Sequence, residues 1–372
     1  MTTTLRLVLD QLVAATDPDL ATASRELARA LVTTAPGGCE VAAIVPSGGD
    51  PDVLDAGVPG LSGVTRAALP RRELAAAWQL GVPSGVGAGL IHSPTLLAPL
   101  VRHDRVHDHD QTVITVWDLA AWEHPDELPR PAVTWRKAML RRAARFADAV
   151  VVPTHAAAER LAERSKLGDR IRVISGAAAE DFRIPSDEIG RRRELNLPEG
   201  YVLLSGSAAP SARLEAGFRA VAGIAGDLPV VLIDAPVGSE PELADLASAA
   251  GIPERRVHVR GTLEDPDRAA VFGGAVAFLA PQTRTAFPWR VVEALRLGVP
   301  VVAASSDVHR EVLVDGGLLA DPDDPDALAE ALASALGSTA AVERLSVLAA
   351  DRGRAFSWAG AAERVWQLHA DL

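Results

Sequence analysis

Short apolar, β-branched runs alternate with amphipathic, alanine-rich segments along almost the whole chain. The runs at residues 5–9, 41–45, 90–92, 113–116, 150–152 and 172–174 read as buried strands, being short, apolar and bounded by turn residues. Helical periodicity lies between several of them, over 21–33, 132–147 and 156–164, with Thr154 placed to cap the last. A second series of strands is expected at 201–205, 230–233, 256–260, 275–279, 299–303 and 317–320. Helices at 211–223, 240–250, 266–273, 290–297 and 326–336 interleave with it. Strands that alternate with helices imply parallel sheets covered on both faces, so two such series predict two doubly wound α/β domains. The polar, proline-bracketed stretch 184–198 (IPSDEIGRRRELNLP) marks the expected boundary. This gives domains at 1–185 and 186–354 and a closing amphipathic helix at 355–372.

The length of 372 residues suits two cores better than one. A net charge of −12 argues against non-specific nucleic-acid binding, which needs surplus cations against phosphate. Cys39 is the one cysteine, which excludes an intramolecular disulfide and a cysteine-cluster metal site. The N-terminal residues lack the basic-then-apolar pattern of a secretion signal. No run approaches the roughly 18 apolar residues a membrane span requires. A cytoplasmic protein is expected. Lys137 and Lys166 are the only lysines, so anion recognition here falls mainly to arginine, backbone amides and helix ends.

Two charged stretches bear on chemistry. The run HDRVHDHD holds His103, His107 and His109 among aspartates, but it lies in a loop without the i,i+4 pairing that fixes ligands on one helix face. No metal site is expected. The helix over 132–147 puts Lys137, Arg141 and Arg145 on one face. Such a face suits peripheral contact at the inner face of a membrane; a helix that buries its other face in its own domain gives the same pattern.

The stretch 284–313, RTAFPWRVVEALRLGVPVVAASSDVHREVL, has a loop, a helix bearing Glu293, a Gly-Val-Pro-Val-Val strand and a serine-rich turn. Together with IHSPTLLAPL, TVWDLAAWEHPDELPR, RRAARFADAVVVPTHAAAERLAE, YVLLSGSAAP, GLLADPDDPDALAEAL and the terminal FSWAGAAERV, it resembles glycosyltransferase family 4 over nearly the whole chain. The resemblance implies the GT-B fold: two Rossmann-like domains facing across a cleft, with the C-terminal helix crossing back to the N-terminal domain. It further implies transfer of a hexose, with retention, from a nucleotide-sugar donor to a glycan or lipid-linked acceptor in cell-envelope polysaccharide synthesis. No cofactor is implied; the nucleotide sugar is a substrate.

Carried over residue by residue, the resemblance places the donor's ribose at Glu293 and its base along Arg260, Gly261, Thr262 and Leu263. It sets the phosphates near Gly206 and Ser207, with Phe287 and Glu311 also on the donor side. Several positions depart from the family pattern. Thr285 stands where a sugar-binding glutamate is usual, and Ala286-Phe287-Pro288 replaces a Gly-Phe-Gly turn, so Pro288 offers no N–H. Ser211 and Ala212 stand where an Arg-Lys pair is usual, with Arg213 one residue beyond; Trp117 replaces a histidine before Asp118. Thr285, Asp118 and His92 are the candidates for catalytic contact.

A lost charged hydrogen bond costs about 1.5–3 kcal/mol. A lost donor to a leaving anion costs roughly 2.7–4 kcal/mol. The same chain is therefore also consistent with a catalytically degenerate paralogue that binds or stabilises an active homologous glycosyltransferase.

Overall fold

The computed structural model describes residues 2–48, 51–224 and 227–372. The chain divides into two compact units. The first is Met1–Glu180 with Ser357–Leu372, and the second is Asp181–Phe356.

In the first unit seven parallel strands run β1 (Thr3–Val8), β2 (Cys39–Val45), β3 (Val64–Arg66), β4 (Leu90–Ser93), β5 (Gln111–Thr115), β6 (Ala149–Val152) and β7 (Ile171–Val173). Their spatial order is β3-β2-β1-β4-β5-β6-β7, so the winding reverses between β1 and β4. Central strands such as β5 and β6 are buried along their whole length, which explains the unbroken apolar sequence of β6; β5 buries Gln111, Thr112 and Thr115 beside its apolar centre. The first long helix, Pro18–Thr33, starts where Asp17 accepts hydrogen bonds from the Asp19 and Leu20 amides and a proline takes the first helical position.

The C-terminal helix Trp358–Asp371 packs on Pro18–Thr33 within this unit. Three contacts tie it down: the Trp358 indole donates to Ala178 O (3.0 Å), the Trp366 indole to Leu31 O (3.2 Å), and the Trp358 ring meets Trp117 edge-on at 6.2 Å.

The second unit carries six parallel strands: β8 (Tyr201–Ser205), β9 (Val230–Ile233), β10 (Val257–Val259), β11 (Ala275–Ala280), β12 (Val301–Ala304) and β13 (Leu318–Ala320). They lie in the order β10-β9-β8-β11-β12-β13, reversing between β8 and β11. The expected α/β class, with two doubly wound Rossmann-like halves, is the one found. The helix Leu214–Gly223 lies so close to this sheet that a Cβ on Gly217 would stand 2.6 Å from Leu204 Cδ2 and 3.2 Å from Pro281 Cγ. Glycine is what allows helix and sheet to touch at the reversal.

The expected boundary stretch 184–198 holds the helix Glu188–Glu194, packed on Asp265–Gly274. One local expectation is corrected. The helix expected from 211 starts at Leu214, because Pro210–Ala212 forms a 3-10 turn and Arg213 adopts a left-handed conformation, φ 51°.

Candidate functional site

In open α/β sheets ligands sit beyond the carboxyl ends of the strands, at the reversal of strand order. In the second unit that edge gathers most of the positions flagged by sequence. Gly206 ends β8 with φ 128°, a backbone state that favours glycine, and its amide donates to Ile233 O (3.0 Å). The next residue on that neighbouring strand end, Asp234, takes an amide bond to Gly261 O (3.2 Å). The Asp234 carboxylate accepts from Arg290 Nε at 2.7 Å, and Arg290 Nη1 reaches Glu293 Oε1 at 3.0 Å. Gly206, Gly261 and Glu293 are thus joined by a short series of contacts.

Glu293 is only 5% exposed and is held on two sides. Arg268, from the helix Asp265–Gly274, gives it Nη2 to Oε1 at 2.9 Å and Nε to both oxygens at 3.1 Å. Arg268 also donates to Asp265 Oδ1 (2.6 Å) and to Leu263 O (2.7 Å). The result is a series of alternating charge, Asp265–Arg268–Glu293–Arg290–Asp234, whose three central members are buried and whose ends are half-buried. Burial works against the Arg268 charge, yet the adjoining Glu293 carboxylate outweighs it and holds the guanidinium pKa above the ordinary arginine value. A carboxylate offers about four acceptor positions. Oε1 takes three of the bonds, whereas Oε2 shares one hydrogen of Arg268 Nε, so acceptor capacity remains on Oε2 alone.

The other flagged positions on this edge are also engaged. The Thr285 hydroxyl donates to Phe287 O (3.1 Å), closing its loop on itself, and Phe287 packs edge-on against Trp289 at 4.6 Å. Arg213 caps Leu214–Gly223 and sends Nη2 to Pro322 O (2.9 Å), beyond the end of β13. The Arg260 guanidinium lies on the carbonyls of Leu195 and Asn196, and burial lowers its pKa. Thr262 is exposed, Leu263 half-buried. Ser207 Oγ accepts from the Ala209 amide at 3.3 Å. Glu311 lies on the helix Asp307–Leu313, its carbonyl bonded to Arg352 (2.9 Å).

His92 and Asp118 belong to the first unit. His92 is fully buried: its Nδ1 meets His369 Nε2 at 3.3 Å, and His369 Nδ1 meets Gln111 Oε1 at 2.8 Å. Burial, then the neighbouring His369, pushes His92 well below the usual histidine range; burial pushes His369 down to about 4. Asp118 is partly exposed and accepts from Arg136 Nη1 (2.6 Å) and the Ala120 amide (3.0 Å). Trp117 beside it donates to Pro94 O (2.8 Å), so this position anchors the C-terminal helix through Trp358.

Sequence reading missed Asp234, Arg268 and Arg290. The available signal was one arginine among acidic and apolar residues in each of two helical stretches, DPDRAAVF and WRVVEAL. It also missed Asp10, just after β1, whose Oδ2 accepts from Arg71 Nε (2.7 Å) and Gln11 Nε2 (2.8 Å) and whose buried Oδ1 has no partner among the described residues. Burial raises the Asp10 pKa. Among the described residues no cluster of three potential metal ligands occurs; His103 is bonded to Asp148 (2.8 Å) and His107 to Asp104 (2.8 Å). Among them, too, no helix is long and apolar enough to cross a membrane.

Comparison with known proteins agrees with this architecture. The family described as Glycosyltransferase Family 4 matches residues 20–178, and that described as Glycosyl transferases group 1 matches 201–338. The chain is 22% identical to O-antigen chain mannosyltransferase B of Escherichia coli, over 72% of this chain and 71% of that one. It is 33% identical to the phosphatidyl-myo-inositol mannosyltransferase of Mycobacterium leprae, over 36% of this chain and 35% of that protein, so about a third of that relative's length is spanned. Among solved structures, Anabaena Alr3699/HepE in complex with UDP and glucose superposes with a TM-score of 0.72 at 17% identity, covering 100% of both chains. At that identity the likeness is one of fold, the GT-B type.

Proposed function

Since this chain belongs to glycosyltransferase family 4, with a glycosyl transferases group 1 domain in its second half, we propose that it moves a hexosyl group from a nucleoside-diphosphate sugar to a glycan or lipid-linked acceptor, with retention. The observation that carries the proposal is the convergence of Gly206, Gly261 and Glu293 at the carboxyl edge of the second unit's sheet. There the ribose hydroxyls bond Glu293 through Oε2, which keeps acceptor capacity. The diphosphate lies against the backbone of Gly206 and Ser207 with Arg213 alongside, and the base against the backbone of Arg260–Leu263. Thr285 and Phe287 face the sugar, Glu311 completes the donor side, and Asp118 serves the acceptor. The named relatives are mannosyltransferases, and the superposed Anabaena protein was solved with UDP and glucose, which supports a hexose on a nucleotide donor. A lipid-linked acceptor would place the reaction on the cytoplasmic side, at the inner face of a membrane.

A second reading, a non-catalytic partner of an active homologue, is favoured by one specific observation. Glu293 is neutralised by Arg268 and Arg290, and the Thr285 hydroxyl is committed to Phe287 O. Calorimetry with a panel of nucleoside-diphosphate hexoses, run beside donor hydrolysis, separates the two. Transfer expects binding and turnover, both lost in Glu293→Gln while the far-UV spectrum is kept. Absence of binding and turnover across the panel overturns it; turnover abolished by Glu293→Gln overturns the partner reading.

A further inference from the structure

A cavity of about 690 Å³ opens on the first unit, near the amino end of β5, far along the strands from their carboxyl ends. Five arginines line it, among them Arg102, Arg105, Arg145 and Arg172, in a chain whose net charge is −12. Arg102, Arg105 and Arg145 are exposed and make no hydrogen bond or ion pair among the described residues, although Arg102 acts at longer range on Asp104 and Arg105 on Asp148; Arg145 lies over the Phe146 ring at 5.0 Å. Arg172 is spent on backbone carbonyls and meets no carboxylate. Of the two acidic side chains in the lining, Asp148 is already answered by His103 (2.8 Å) and the Thr112 amide (2.8 Å). Asp169 is exposed and forms no ion pair among the described residues, and Leu372 also lines the cavity.

Elsewhere the arginines that gather are interleaved with carboxylates, as Arg268 and Arg290 are with Asp265, Glu293 and Asp234, or lie singly on carboxylates or carbonyls, as Arg71 and Arg352 do. Five cations facing two carboxylate side chains repel one another, and a bound anion relieves that cost.

We propose that this cavity is a binding site for a small molecule bearing a diphosphate or longer phosphate chain, separate from the candidate donor edge of the second unit. Its volume falls within the range of small-molecule sites, roughly 300–1,000 Å³. One phosphate brings at most about two negative charges, too few for five guanidiniums, so linked phosphates fit better. Planar guanidiniums suit phosphate oxygens bidentately. Phe146 is already covered by Arg142 and Arg145, so the recognition is of phosphate rather than of a stacked base. Concavity and a mostly polar lining favour such a ligand over a membrane surface.

The test is titration of the full-length chain with inorganic pyrophosphate and tripolyphosphate by calorimetry, at low and high salt. The double variant Arg105→Ala/Arg145→Ala removes two exposed, unbonded side chains and so leaves the fold intact; it is expected to weaken binding about tenfold or more. Arg219→Ala, an exposed arginine of the second unit placed in neither site, is expected to leave it unchanged. Undetectable binding overturns the proposal, as does equal affinity in the double variant. Loss in Arg213→Ala would assign the phosphates to the second unit. Binding of phosphatidylglycerol vesicles without binding of pyrophosphate would make the basic face a membrane contact. The hexosyl-transfer reading stands or falls separately.

Discussion

Arg268 grips Glu293 through Nε and Nη2 at 2.9–3.1 Å, with both side chains almost wholly withdrawn from water. A buried ion pair is weak evidence of net stability, because desolvation offsets attraction, but removing one partner strands the other charge. Arg268→Ala should therefore cost about 3–5 kcal/mol of unfolding free energy. Denaturant titration measures this. Arg268→Lys should recover little of it, since an ammonium cannot reproduce the two-pronged contact. A cost below about 1 kcal/mol for Arg268→Ala would mean that Arg290 alone neutralises Glu293.

Gly217 and Gly353 should resist enlargement for related reasons. A Cβ at Gly217 meets the Leu204 methyl at 2.6 Å, and one at Gly353 meets backbone, Leu295 O, at 2.6 Å. Side chains can shift where backbone cannot. Gly217→Ala is expected to cost about 1–3 kcal/mol and Gly353→Ala more. Thermal unfolding of the two variants in parallel ranks them, and the reverse order would contradict this account.

Val314 follows the helix Asp307–Leu313 with φ 53° and ψ −101°, an unusual state for a β-branched residue, and its side chain is exposed. Strain of this kind costs about 1–3 kcal/mol. Glycine releases it but adds about 0.4–1 kcal/mol of unfolded-state entropy. Val314→Gly should accordingly stabilise the protein by about 1 kcal/mol, read as a higher denaturant midpoint at unchanged slope. A lower midpoint would show that the strain is absent in solution.

The buried pair His92–His369 makes stability depend on pH. Both folded-state pKa values lie below that of an unfolded histidine, His369 at about 4. Between that value and about 6.5 the unfolded chain binds more protons than the folded one. Stability contributed by these residues is therefore complete above about 6.5 and is lost as pH falls toward 4. His369→Gln should flatten this slope in urea midpoints measured across that window; an unchanged slope would locate the titration elsewhere.

The strands of the second unit were legible because each is a compact apolar run, and those at 201–205 and 230–233 have the observed bounds. Val64–Arg66 escaped notice because this three-residue edge strand is largely exposed and carries no apolar run. The helix Glu188–Glu194 was hidden by its three consecutive arginines; two of them are neutralised across space or along the helix, by Asp267 and Glu188. At the candidate site the place of Glu293 was readable from its helix and the strand that follows. Its partners were not, because Arg268 is 25 positions away and Asp234 belongs to another strand end. Local periodicity says that a helix buries a face; it does not say which charge waits opposite.

The C-terminal helix belongs to the first unit, yet the whole of the second unit separates it from the rest of that unit in sequence. During synthesis the second unit is complete before residues 357–372 emerge. The first unit, by contrast, must persist with His92, Trp117 and the Leu31 carbonyl uncovered until residues 357–372 emerge. Its apolar surface stays open to the cell's folding machinery for longer than its early place in the chain suggests, and truncation within the final helix would leave it open permanently.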